Sequence, residues 1–338
     1  MLTPPQFQLR IKSDRGIPKG ITMKSLRYLV LVVFCSFLAT SAVSQDKKDD
    51  KEKEIPKPKR LTLKTSDNVN LICNYFGGTK EKESVPIILL HDLEGQKEEF
   101  NAFALYLQKV YGHAVIVPDL RGHGESTKTV TNQAIDISKF KKNDYATFNE
   151  DISTCFRYLR DEVNNKGECN IDMLCVLASG YVSINAMAWT LEDYSYAPIG
   201  NKKQGQFVKG VVLLNPRKSI KGFAVNNLLK NPLFSGKGIS PIPVLVAAGD
   251  GDDKSYRDAK SIYNTLKRTR PKYDDIADTT ERYKKLSIWL GEFSNSAGTE
   301  MLNPKNKTKL EVFIARFVQF KILANSNEIP WVDYKKEE

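Results

Sequence analysis

The stretch VIVPDLRGHGES, residues 115–126, sets a short apolar run directly ahead of Asp119 and then places two glycines around His123. An apolar run of that length bounded by turn residues reads as a strand buried on both faces, and Gly122 and Gly124 give it a tight exit. Upstream, PIILLHDLEG (86–95) repeats the pattern and ends its apolar run at His91. Downstream, IDMLCVLASGYVSINAMAW (171–189) runs a strand straight into a helical pattern. Further strand-like runs lie at 61–66, 69–76, 207–216, 241–249 and 285–291. Helical periodicity falls between them, near 98–111, 145–164, 182–191, 256–267 and 309–322. Buried strands alternating with helices mean βαβ units, and therefore a mostly parallel sheet with helices on both faces. The first two runs are close enough to pair antiparallel. Eight strands fit one α/β domain over 61–325.

The flanks carry other signals. At 41% hydrophobic and 27% charged residues the chain has globular composition, which excludes a collagen, a multi-span membrane protein and full-length disorder. Six Lys/Arg and one Asp fall within residues 1–44, so much of the net charge of +11 belongs to a leader. A nucleic-acid partner does not follow from it. From Met23, the expected start, Lys24 and Arg27 precede the apolar run 29–38, with Ala42 and Ser44 beyond. That is the layout of an export signal, too short to span a bilayer comfortably. It predicts an exported protein, in the periplasm, cell envelope or outside the cell; if uncleaved, the segment would be an N-terminal membrane anchor. Residues 45–60 mix seven basic and five acidic side chains with two prolines and read as a solvated linker. Residues 326–338 read as a loose polar tail. Cys73 and Cys175 fall in apolar strands as buried thiols. Cys155 and Cys169 complete the set, and a single bridge involving Cys169 stays open. With three histidines and no C-x-x-C, neither a metal centre nor any other cofactor is expected.

The three quoted segments together resemble the α/β-hydrolase fold: its strand-to-HG loop, its D-x-R-G-H-G-x-S loop, and its nucleophile-elbow strand and helix. The resemblance covers about residues 60–325. It implies a Ser…Asp…His order, with the Ser in G-x-S-x-G on a sharp turn. Aligned on that elbow, Ala178 stands at the first Gly, Gly180 at the nucleophile and Val182 at the second Gly. Ala297, in Ala297-Gly298-Thr299, stands where the base histidine belongs. Asp252, in VLVAAGDGDD, is the one candidate acid. Asp92 follows His91 where a glycine would open the loop to a developing oxyanion, and its charge would repel one. Ser179 and Ser183 are fallback nucleophiles with bulky neighbours.

Losing the Ser or His of a triad costs roughly 10⁶ in kcat in the worked protease case. The resemblance with these departures therefore implies an inactive pseudo-hydrolase that binds a small molecule or envelope component. His91, Asp92, Ser179, Gly180, Tyr181 and Asp252 would line its crevice at the C-terminal edge of the sheet. The alternatives are an active ester, thioester or peptide hydrolase with an unconventional nucleophile, and a structural or assembly protein of the envelope. The junction 217–240 has room for one short amphipathic helix and no lid domain.

Overall fold

The eight apolar runs become the strands of one sheet in the computed structural model, which describes residues 55–200 and 203–335. The expected leader over 1–44 and the linker up to residue 54 lie outside the described residues. The strands are β1 (Lys59–Lys64), β2 (Asn70–Phe76), β3 (Pro86–Leu90), β4 (Ala114–Pro118), β5 (Leu174–Ser179), β6 (Val208–Leu214), β9 (Val244–Gly249) and β10 (Ile288–Phe293). They lie in the order β1-β2-β4-β3-β5-β6-β9-β10. β2 is antiparallel to β1 and β4, and every other pair is parallel. The linker thus yields its last two residues, Lys59 and Arg60, to β1.

Both faces of the parallel region are covered, which is why its strands are apolar without alternation. Helices α1 (Asn101–Tyr111) and α9 (Leu310–Lys321) bury Phe103, Leu107, Ile314 and Phe317 on one face. Helices α3 (Phe148–Tyr158), α4 (Ser183–Asp193) and α7 (Asp253–Thr269) bury Ile152, Ile184 and Ile262 on the other. Within β5 the period of two assigns Leu174, Val176 and Ala178 to the second face and Cys175 and Leu177 to the first. Each such fully buried Leu or Val contributes roughly 1.5–3 kcal/mol.

The short helices α2 (Lys142–Ala146) and α8 (Thr279–Lys285) escaped the sequence reading because one or two turns carry no periodicity. The 217–240 junction has no lid domain, but its expected single helix is two. A small hairpin, β7 (Ser219–Ile220) with β8 (Phe223–Ala224), precedes α5 (Asn226–Lys230) and α6 (Pro232–Ser235). Asn231 is extended between the two, as a residue before proline prefers, and its side chain accepts from the Leu233 N–H to start α6. The tail also differs from expectation. Asn164 and Asn170 donate to the carbonyls of Val332 and Ile329 (2.8 and 2.9 Å), and the Tyr334 hydroxyl donates to Asp172 (2.7 Å). The Tyr334 ring packs edge-on against Phe207 and the Lys82 ammonium lies 3.8 Å over the Trp331 ring, which holds this segment down despite its polar composition. All four cysteines of the domain are free and buried.

The stretch 115–126 is held by two ion clusters. Asp119 accepts from the Lys97 N–H, the Lys97 ammonium and the Glu125 N–H at 2.7–2.9 Å. A side chain at Gly124 would overlap its carboxylate. Arg121 forks onto buried Asp151 (2.7 and 3.0 Å) and pairs with Asp67. This loop is a structural clamp.

Asp193, at the end of α4, is buried and accepts from the Val208 N–H at 3.0 Å. Burial pushes its carboxyl up to about 6 against the pull of the Val208 and Phe207 N–H groups. The unfolded chain releases this proton nearer the ordinary 3.8. Between those values the folded form holds more protons, so stability falls as pH rises, by roughly 2–3 kcal/mol for this group. Asp193→Asn is expected to flatten the decline between pH 4 and 6.5 in urea titrations; an unchanged slope would contradict the assignment.

Candidate active site

The sharp bend after β5 is present. Ser179 is extended, Gly180 takes φ +54°, and a tight turn over Gly180–Val182 feeds α4. That backbone favours glycine, since a side chain in the left-handed region costs about 1–2 kcal/mol. A second reason lies across the bend. Asp92, in the loop after β3, sends its carboxylate over Gly180, and a Cβ at 180 would fall on its Cγ and Oδ2. Asp92 Oδ1 accepts from the backbone N–H of Leu93 and of Tyr181, both at 2.8 Å. Burial pushes the Asp92 carboxyl above its ordinary range, while those two N–H groups and Arg217 act in the opposite direction.

The other sequence-predicted residues divide. Ser179, Gly180, Asp92, Asp252 and Ala297 share one crevice of about 780 Å³ at the C-terminal ends of the strands. Ser183 does not reach it: its buried hydroxyl donates back to the Ala178 carbonyl at 3.2 Å. Tyr181 gives its N–H to Asp92, while the Arg217 guanidinium lies 4.8 Å over its ring. His91 lies outside the crevice lining and is buried. Its Nε2 accepts from the Leu120 N–H (2.9 Å), leaving Nδ1 to donate to the Asp92 carbonyl (2.7 Å). Burial pushes His91 down to about 4, despite its backbone partner, so the ring is neutral near pH 7. His123 faces the carbonyls of Arg121 and Leu93 with its two nitrogens. His113 is buried and stacks on Tyr111. No imidazole lines the crevice.

Asp252 caps α7, accepting from the N–H of Lys254 and Ser255 (3.0 and 3.3 Å), and pairs with Arg217 at 3.1 Å. These partners outweigh partial burial and hold its carboxyl below the ordinary range. Ala297 sits beside Gly298, whose N–H donates to Asn215 (3.1 Å) and where a Cβ would stand 3.2 Å from the Ser179 hydroxyl.

Two important residues escaped the sequence reading. Asn215, just past β6 at φ +42°, joins the Gly249 backbone in both directions (2.8 and 2.9 Å) and donates to Ser255 (2.9 Å), tying the crevice floor together. Its signal was an Asn-Pro pair closing a strand. Arg217 donates its N–H to the Gly180 carbonyl (3.1 Å) and sends its guanidinium to Asp252 and Asp258. Glu94, Glu99 and Glu300 join Asp92 and Asp252 in the wall, so carboxylates dominate it.

Comparison by sequence finds no matching family model and no similar curated protein. Comparison by structure is decisive for the fold. A hyperthermophilic esterase from Pyrobaculum calidifontis superposes with a TM-score of 0.54 at 12% identity, covering 80% of this chain and 85% of that one. A thermostable carboxyl esterase from Bacillus coagulans gives 0.52 at 12% identity, over 79% and 99%. An esterase from Pyrococcus furiosus gives 0.50 at 13% identity, over 79% and 92%. The chain has the α/β-hydrolase fold.

In the α/β-hydrolase fold the oxyanion hole is formed by the N–H after the nucleophile and an N–H from the loop after β3. The N–H groups of Tyr181, after Gly180, and of Leu93, in the loop after β3, stand at the matching places in the chain. Both donors remain, and both are taken by one oxygen of Asp92. The sequence implied only a repelling charge near the hole. The geometry adds a direct contact: one carboxylate oxygen of Asp92 accepts from both N–H groups.

Proposed function

We propose that this is an exported α/β-hydrolase-fold protein in which acyl transfer has given way to binding in the crevice above Gly180. The observation that carries the reading is the Asp92 carboxylate on the N–H groups of Leu93 and Tyr181. A substrate oxyanion has no free donors there, Gly180 offers no attacking oxygen, and Ala297 offers no base. The wall holds Asp92, Glu94, Glu99, Asp252 and Glu300 against Arg217. Such a surface disfavours carboxylates and phosphates and suits a ligand rich in hydroxyl or amine groups, whether a free small molecule or an envelope component.

Thermal shift of the purified domain against glycans, polyols and polyamines tests this. One class should raise Tm, and Glu94→Gln with Asp252→Asn should reduce the shift. A shift confined to acidic ligands would contradict the reading, and no shift with any class would favour an assembly role at the envelope. A second reading, an active hydrolase of esters, thioesters or peptides, draws support from the esterase structures and from Ser179 at the crevice. Against it stands the lack of any imidazole in the crevice wall.

A further inference from the structure

At the opposite edge of the sheet, beneath the N-terminal ends of β6, β9 and β10, lies a groove of about 510 Å³. Lys209, Lys284, Lys285 and Lys321 line it, with no carboxylate among the lining residues. Lys321 is only 8% exposed, and its ammonium donates to the Lys284 carbonyl. The Lys209 ammonium donates to the Gln206 carbonyl at 2.6 Å. Burial pushes both ammoniums down to about 8, for Lys209 with help from Lys203 and against Asp172 and Asp193. The buried Lys321 ammonium and the half-buried Lys209 ammonium thus rest on neutral carbonyls, an arrangement that a negative partner would relieve.

The ends of α8 and α9 reach this groove, and each helix C-terminus supplies about −0.5 charge. Glu281 pairs with Lys284 at 2.6 Å. Together these leave the four ammoniums in clear positive excess. Apolar side chains share the lining: Leu233, Ile242 and Phe320, the last with the Lys284 ammonium 5.9 Å over its ring. Ammonium groups and hydrocarbon in one groove suit an amphiphilic anion, and the volume matches a small-molecule site.

We propose that this groove binds a phosphate monoester carried on an apolar body, its dianionic head among Lys209, Lys285 and Lys321 and its body against Leu233, Ile242 and Phe320. The site is separate from the crevice above Gly180 and does not depend on what that crevice binds. The headgroup chemistry is common to a free alkyl phosphate and to an acidic phospholipid.

Calorimetry on the purified protein with inorganic phosphate, octyl phosphate, octyl sulfate and phosphatidic-acid vesicles tests the proposal. Octyl phosphate should bind at least tenfold more tightly than inorganic phosphate, which lacks the apolar body, and than octyl sulfate, which carries a single charge. Exposed Lys285→Ala should weaken octyl phosphate about fivefold or more without changing Tm appreciably, and Lys209→Met should act in the same direction. Binding of vesicles in addition would identify a lipid headgroup as a source. Failure to bind octyl phosphate, equal affinity for inorganic phosphate, or affinity unchanged in both variants would overturn the site. Vesicle binding without octyl phosphate binding would mean adsorption to a charged surface and would overturn it as well.

Discussion

Gly180→Ser, the substitution that would place a hydroxyl at the bend, is expected to lower Tm by about 5 °C or more and to create no esterase activity. The side chain meets two costs. The left-handed backbone at φ +54° costs about 1–2 kcal/mol for a non-glycine residue. The larger cost is Asp92, whose carboxylate fills the space a Cβ needs and must leave two N–H groups to make room. Hydrogen bonds to a charged group contribute about 1.5–3 kcal/mol, so the total comes to roughly 3–4 kcal/mol. At about 2 °C per kcal/mol or just under, for a domain of this size, that gives the stated fall. Asp92→Ala in the same molecule removes the obstruction, leaving only the backbone strain. The double-mutant cycle should therefore return a coupling of about 2 kcal/mol. Strict additivity would show that the carboxylate and the glycine are unrelated. Turnover would stay absent even in the double variant, because Ala297 supplies no proton acceptor.

Asp92→Ala alone is expected to expose the vacated hole to small anions. The variant should lose about 1–3 kcal/mol, the cost of leaving the Tyr181 and Leu93 N–H groups without their partner. Formate, at ten times its dissociation constant, should then recover about 1.4 kcal/mol, or about 2 °C. The parent protein should show no such gain, since its hole already holds a carboxylate. Chloride at equal ionic strength separates hole filling from general salt effects. Equal response of both proteins to formate would count against an occupied hole.

The fold was legible because its strands are buried on both faces and its principal helices run to eleven residues or more, long enough to display their period. Short elements were not: α5 and α6 are split by a single Asn-Pro step, and α8 is two turns long. At the site, Gly180 and Ala297 were readable as positions carrying neither a hydroxyl nor an imidazole, since absence of a side chain is visible in one dimension. The contact that gives Gly180 its meaning joins residues 89 positions apart at Tyr181 and Asp92, and only the β3–β5 pairing brings those loops together. Arg217 was missed for a similar reason: nothing local distinguishes it from the other basic residues of its junction. His91 and Tyr181 were placed in the crevice because they neighbour Asp92 and Gly180 in sequence, but their side chains turn to the Leu120 backbone and to Arg217.

The central proposal is that the hydrolytic machinery is both incomplete and internally blocked. Treatment of the folded protein with a fluorophosphonate probe, read by intact mass, tests it most directly. No adduct should form at any serine under conditions that label an active esterase to completion. Stoichiometric phosphonylation mapping to Ser179 or Ser183 would contradict the proposal.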